Sequence, residues 1–171
     1  SIGGLAQSVD TANTYAGIAQ ATYSWWQSAG EDSSTTTITD ALLSAAIGTT
    51  NDACGEMPSL GICTQTVWNA IRNLYQSQQR FNEADQANVG FRSLLVNGVP
   101  IVADNKCTAS HLFLLNEKYL ELRISSKDNF EFIGWQKKVD QPGAMFGVIT
   151  VALNLMNLQP RSMYKFTAIT G

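Results

Sequence analysis

The segment GFRSLLVNGVPIVAD at residues 90–104 decides how this chain folds locally. Two short apolar runs, 94–96 and 99–102, are separated by Asn97 and Gly98. Asn-Gly between apolar runs indicates a β-hairpin, because both residues tolerate the positive φ angles of a type I′ turn. Pro100 has no N–H to donate, so we expect it at a sheet edge or at a position without a ladder hydrogen bond. The segment therefore predicts two strands joined by a two-residue turn.

Two helices are predicted on the N-terminal side of this hairpin. The first covers residues 40–47, with Thr39 as its N-cap and Gly48 beyond its end. The second begins near Thr66, because apolar residues then recur at helical spacing. This stripe consists of Val67, Ala70, Ile71, Leu74 and Tyr75. The polar residues 76–88 that follow are predicted to form a loop.

The rest of the chain is predicted to form short strands. Residues 1–37 have no helical periodicity, and we expect a strand at 19–26 followed by a loop at 28–34. Further strands are predicted at 60–63, 112–115, 120–124, 130–135, 146–154 and 164–169. Alternation within 146–154 predicts a strand with one face more buried than the other. Helices and strands without a regular βαβ order indicate an α+β fold.

The bulk composition narrows the possible partners. At 171 residues the chain fits one domain or two small lobes, and 44% of its residues are hydrophobic. The net charge of -3 argues against a nucleic-acid-binding protein, which normally carries a basic face. No apolar run approaches the ~20 residues of a membrane span. We therefore expect neither sequence-specific nucleic-acid binding nor a membrane partner.

Four residues could in principle carry metal or nucleophilic chemistry: Cys54, Cys63, Cys107 and His111. Their number suits a tetrahedral zinc site, and Cys107 and His111 have a C-x-x-x-H spacing. Eight residues separate Cys54 from Cys63, however, which is too many for a usual zinc knuckle. His111 is the one histidine, and no nucleophile-elbow motif is present. We expect Cys63 in a core strand, the other cysteines in loops, and no catalytic residue, cofactor or metal.

Trp25 and Trp26 are candidates for an assembly interface. Adjacent residues on a strand point to opposite faces, so one indole ring would be exposed or covered by a neighbouring chain. Tryptophan is enriched where subunits meet.

Seven segments of this chain resemble the C-terminal half of tailed-phage major capsid proteins of the Hong Kong 97 type, and they occur in the same order and with similar spacing. They are residues 15–18, 23–26, 64–68, 78–81, 90–100, 113–120 and 129–135. The resemblance covers nearly the whole chain. It departs at residues 157–162, where relatives tend to carry an arginine-rich turn.

The resemblance implies a non-enzymatic structural subunit of an icosahedral tailed-phage or prophage shell around double-stranded DNA. Such a protein is located in the virion capsid, is assembled in the bacterial host cytoplasm, and associates with itself into pentamers and hexamers. Scaffold, portal or decoration proteins would be its further partners.

The same resemblance predicts the domain organisation. Residues 37–116 would form the axial lobe, 1–36 a segment of the peripheral lobe, and 117–171 the strands that return to it. The N-terminal arm, extended loop and spine helix of the family have no counterpart in these residues. Two alternatives stay open: an encapsulin-like compartment shell, and a zinc- or cysteine-dependent enzyme.

Overall fold

A computed structural model describes residues 4–34, 36–76, 93–141 and 143–170 of the chain. Its α-helices are α1 (Leu5–Ser8), α2 (Asp40–Cys54) and α3 (Gln65–Gln76). The strands are β1 (Thr14–Tyr15), β2 (Ile18–Ala19), β3 (Gly30–Asp32), β4 (Thr36–Thr37), β5 (Leu60–Cys63), β6 (Ser93–Val96), β7 (Val99–Ala103), β8 (Leu112–Leu115), β9 (Leu120–Ile124), β10 (Glu131–Lys137), β11 (Met145–Thr150), β12 (Leu153–Asn157), β13 (Tyr164–Phe166) and β14 (Ile169–Thr170). This mixture of helices and sheet fits the α+β class.

The centre of the molecule is a six-stranded mixed sheet with the strand order β3-β13-β8-β5-β7-β6. The pairs β13–β3 and β5–β7 are parallel, and the other neighbours are antiparallel. The sheet combines strands from all three predicted segments, 1–36, 37–116 and 117–171. The lobe boundaries themselves stay a prediction.

Strand β8 lies in the middle of the sheet, and all four of its residues are buried. Leu112 and Leu114 belong to one apolar cluster, together with residues of α2 and α3. Phe113 and Leu115 belong to a second cluster, with Val9 from the N-terminal segment. Because successive strand residues face opposite sides, the sheet is covered by α2 and α3 on one face and by the N-terminal segment on the other.

The predicted hairpin is confirmed. Strands β6 and β7 pair antiparallel around Asn97 and Gly98, whose φ angles are 48° and 85°. Pro100 lies opposite Leu95, and β5 pairs with β7 only from Ile101 onward. In a two-residue hairpin the residue pair next to the turn is hydrogen-bonded and the following one is not. Pro100 therefore occupies a position that needs no N–H, as the sequence predicts.

Helix α2 is longer than predicted. Thr39 is its N-cap, and its hydroxyl accepts a hydrogen bond from the Leu42 N–H at 3.3 Å. The helix does not stop before Gly48 but continues to Cys54, with Gly55 in the left-handed conformation as its C-cap. Thr50, one turn beyond the predicted end, is fully buried. Burial of this further turn outweighs the low helix propensity of a single interior glycine.

The predicted strand at 19–26 is wrong. Strand β2 ends at Ala19, and Ser24–Trp26 forms a 3₁₀ turn. The predicted loop at 28–34 contains β3, whose parallel partner β13 lies at the other end of the chain. Helix α1 was not expected either. Local sequence cannot reveal a strand whose pairing partner is more than 130 residues away.

The C-terminal strands also differ in detail. The predicted strand 146–154 is divided into β11 and β12, 164–169 is divided into β13 and β14, and 130–135 corresponds to β10. Burial within β11 alternates as expected, since Val148 and Thr150 are half-buried while Gly147 and Ile149 are exposed, although no residue of this strand is fully buried. The predictions for 60–63, 112–115, 120–124 and the second helix are confirmed. Most of the predicted loop at 76–88 lies outside the described residues.

None of the helices that the structure describes has the length and apolar character to cross a membrane.

Candidate subunit interface

A long antiparallel ribbon leaves the sheet after β8 and returns to it before β13. At its base β9 pairs with β12, and further out β10 pairs with β11. Within the described part of the chain, neither pair joins the six-stranded sheet. We call residues 120–141 and 143–157 the ribbon, β9 and β10 its outgoing arm, and β11 and β12 its returning arm.

The ribbon carries most of the exposed apolar surface. Among the described residues, 17 large hydrophobic side chains are exposed, and 12 of these lie in the ribbon. They are Leu122, Ile124, Phe130, Phe132, Ile133, Trp135, Val139, Met145, Phe146, Ile149, Val151 and Met156. Trp135 is 71% exposed and Ile149 is 65% exposed. Isolated two-stranded ribbons are marginally stable in water, and an exposed apolar surface of this extent is typical of a protein–protein contact.

The ribbon holds its aromatic rings on the surface through specific backbone geometry. The register shifts between Phe132 and Trp135, where Gly134 has a φ of 94°. The two rings make an edge-to-face contact with centroids 5.6 Å apart. A Cβ atom on Gly147 would lie 2.6 Å from the Phe132 ring. The ring therefore packs directly over the backbone of Gly147.

The two arms differ in charge. Acidic or basic residues occur throughout the outgoing arm and the loop within it: Glu121, Arg123, Lys127, Asp128, Glu131 and Lys137. The returning arm, residues 145–157, reads MFGVITVALNLMN and contains no acidic, basic or proline residue. One long side of the ribbon is therefore uncharged.

The base of the ribbon is fastened to the N-terminal segment by Tyr15. The Tyr15 hydroxyl donates to the Leu155 carbonyl at 3.0 Å and accepts from the Asn157 N–H at 2.8 Å. Both backbone groups belong to β12. This part of the returning arm therefore has intramolecular partners.

A buried ion cluster joins the N-terminal segment to β13. The Lys165 ammonium lies 2.6 Å from Asp10 Oδ2 and 3.2 Å from Glu31 Oε1, and its side chain is 5% exposed. Burial alone would raise the pKa of Asp10, but hydrogen bonds from Lys165 and from the N–H groups of Ala12 and Asn13 lower it to about 2. Sequence analysis missed this cluster, because Asp10 and Lys165 are 155 residues apart.

The two tryptophans predicted as interface residues have different environments. Trp26 stacks on Tyr15 with a centroid distance of 6.1 Å, and its indole N–H donates to the Tyr15 carbonyl. Trp25 is 57% exposed and contacts the ring of Tyr23, which is also exposed. The rings do not point to opposite faces of a strand, because both residues lie in the 3₁₀ turn. Trp26 therefore has intramolecular partners, and a subunit contact through either tryptophan stays a prediction.

The cysteine and histidine candidates do not come together. No group of three or more His, Cys, Asp or Glu residues in the described ranges could hold a metal ion. Cys63 is buried in β5, which raises its pKa to about 12, and burial also raises the pKa of Cys107. Both shifts disfavour the thiolate that zinc binding and nucleophilic attack require. Cys54 is not in a loop as predicted but is the last residue of α2, where its thiol donates to the Thr50 carbonyl.

His111 directly precedes β8. Its ring nitrogen Nδ1 lies 2.7 Å from the Ala109 carbonyl oxygen, so that this nitrogen carries the proton in the pairing. The contact is local and assembles no second catalytic group. Nothing at His111 indicates a nucleophilic site.

The six-stranded sheet with its two covering helices and the long ribbon together form a phage capsid-like fold. A solved structure that shares it is described as "Cyanophage A-1(L) capsid asymmetric unit". The TM-score is 0.72 and the sequence identity is 21%, over 99% of this chain and 60% of that chain. This chain thus spans about 60% of the length of the cyanophage chain. No protein-family model and no curated protein matches the sequence.

Proposed function

We propose that this protein is a structural subunit of the icosahedral capsid shell of a tailed phage or prophage, with the Hong Kong 97-like fold. The observation that carries the proposal is the likeness to the cyanophage capsid chain over nearly all of the residues. In this proposal the protein encloses double-stranded DNA, has no enzymatic role, and is located in the virion after assembly in the host cytoplasm.

The ribbon supports a role in assembly. A protein that works as a monomer rarely exposes so many large apolar side chains on one element. A shell uses the same surface on every copy, so that modest contacts add up over the whole particle. The proposed partners are therefore other copies of the chain, arranged as pentamers and hexamers, with scaffold, portal or decoration proteins in addition.

The proposed lobes follow the resemblance. Residues 37–116 would form the axial lobe, and the flanking segments, including the ribbon, would belong to the peripheral lobe. In this arrangement the six-stranded sheet carries the fold and the ribbon reaches towards neighbouring subunits.

Electron microscopy and light scattering test the proposal. We expect the protein expressed from its complete reading frame to form closed spherical particles. In the family, the arm and the extended loop reach neighbouring subunits, and neither has a counterpart in these 171 residues. We therefore expect the 171 residues alone to give a monomer or small oligomers, since interfaces below about 1,000 Å² rarely persist at micromolar concentration.

A complete product that stays monomeric under all conditions would refute the shell function. Particles that package protein cargo rather than DNA would favour the encapsulin-like alternative. Closed shells from the 171 residues alone would show that the family's N-terminal arm, extended loop and spine helix are not needed for assembly, and would leave the shell function in place.

A further inference from the structure

The two edges of the ribbon are protected to different degrees. An unpaired strand edge invites pairing with another chain, and proteins usually prevent this with charged residues, proline or a β-bulge. The β10 edge has two of these devices, since it carries Glu131 and Lys137 and its register shifts at Gly134. The β11 edge, Met145–Thr150, has none of them.

The base of the returning arm has partners on its outer side. Tyr15 bridges the Leu155 carbonyl and the Asn157 N–H on β12. Among the described residues, β11 pairs with β10 alone. Alternate N–H and C=O groups of β11 therefore face outward without a strand partner. The open part of the edge therefore includes β11.

The apolar surface of the ribbon reaches the unpaired edge. Three large apolar side chains of β11 itself are exposed: Met145, Phe146 and Ile149.

Charge indicates what kind of partner fits. The returning arm is uncharged, and two such arms can lie side by side with no like-charge contact, while the charged outgoing arms stay at the outside.

We propose that β11 is a docking edge to which a second copy of this chain adds its own β11 in antiparallel orientation. The four strands β10-β11-β11-β10 then form one sheet, and the apolar faces of the two ribbons become continuous. The choice of a second copy rests on the proposed shell function, whereas the location of the edge rests on the ribbon itself.

Sedimentation and hydrogen exchange test this docking. The variant Ile149→Lys places a charge on β11, at a residue that is 65% exposed. The matched control Met57→Lys changes a residue outside the ribbon that is 51% exposed. We expect the wild-type chain and the control to dimerise with equal Kd, and Ile149→Lys to weaken the dimer at least tenfold. Far-ultraviolet circular dichroism verifies that both variants are folded.

Hydrogen exchange then identifies the edge. The amides of β11 should become more protected as protein concentration rises, while those of β8 should not change. A wild-type chain that is monomeric at every concentration would overturn the inference, as would a dimer insensitive to Ile149→Lys or a concentration-independent exchange of β11.

The same variant separates this inference from the shell function. Shells that still assemble from the complete reading frame with Ile149→Lys would overturn the docking edge and leave the shell function standing. A dimer through β11 without shells from the complete reading frame would support the edge and refute the shell function.

Discussion

Replacing Lys165 by methionine should destabilise the fold more than any change to a surface charge. The Lys165 ammonium is the countercharge of Asp10 and Glu31, at 2.6 Å and 3.2 Å, inside the protein. Methionine keeps most of the apolar stem, so Lys165→Met removes the charge with little loss of packing. Two carboxylates are then left close together without a cation. Removing one partner of a buried ion pair costs about 3–5 kcal/mol.

For a protein of this length, that loss corresponds to a fall in Tm of roughly 8–15 °C. Urea unfolding followed by circular dichroism measures the free energy of unfolding directly. Lys118→Met is the matched control, because Lys118 makes an ion pair with Glu56 at 2.8 Å but is largely exposed. We expect little change in that variant.

A triple variant tests the cause. Lys165→Met combined with Asp10→Asn and Glu31→Gln contains no uncompensated charge, and it should recover a large part of the lost stability. The reasoning fails if Lys165→Met loses less than about 1 kcal/mol, the size of an exposed ion pair. It also fails if the triple variant is less stable than the single one.

Three further outcomes are expected. Gly98→Val should lower stability by more than ~1 kcal/mol in thermal unfolding, because position 98 has a φ of 85°; an unchanged Tm would contradict the type I′ turn. Gly48→Ala should raise stability by up to about 1 kcal/mol in the same assay, since a Cβ there meets no atom within 4 Å and the residue is inside α2; a destabilised variant would show that the glycine is needed for packing. The stabilisation from Asp10 should be complete above its ordinary pKa of 3.8 and be lost as the pH falls through about 2, because its pKa is lowered in the fold; Asp10→Asn should remove that part of the acid dependence in a pH series of urea unfolding curves.

The elements that the sequence predicts correctly are those defined by local chemistry. Asn97 and Gly98 determine a turn through their own φ preferences, and the apolar stripe from Val67 to Tyr75 defines α3 through its period. Thr39 begins α2 because its hydroxyl can bond to the backbone three residues later. None of these features needs a distant partner.

The elements that sequence analysis misses depend on distant partners. Strand β3 exists because β13 lies beside it, and α2 continues past Gly48 because Thr50 is buried. For the candidate interface, residue type alone predicts a contact at Trp25 and Trp26, whereas the fold shows that Trp26 stacks on Tyr15. The absence of charge in residues 145–157 is visible in the sequence. That these residues form one strand edge of a ribbon beside a charged arm is visible only in the fold.

The ribbon begins after β8 and ends before β13, and these two strands are antiparallel neighbours in the six-stranded sheet. The whole excursion is thus an insertion between two adjacent points of the core. At its base, Leu120 packs against one of the apolar clusters around β8 and Asn157 is buried, whereas β10 is largely exposed. The outer hairpin of β10 and β11 can therefore change in length and sequence without altering the strand order or the core. A chain built in this way can present a different surface by exchanging one hairpin, while the core that determines its folding stays the same.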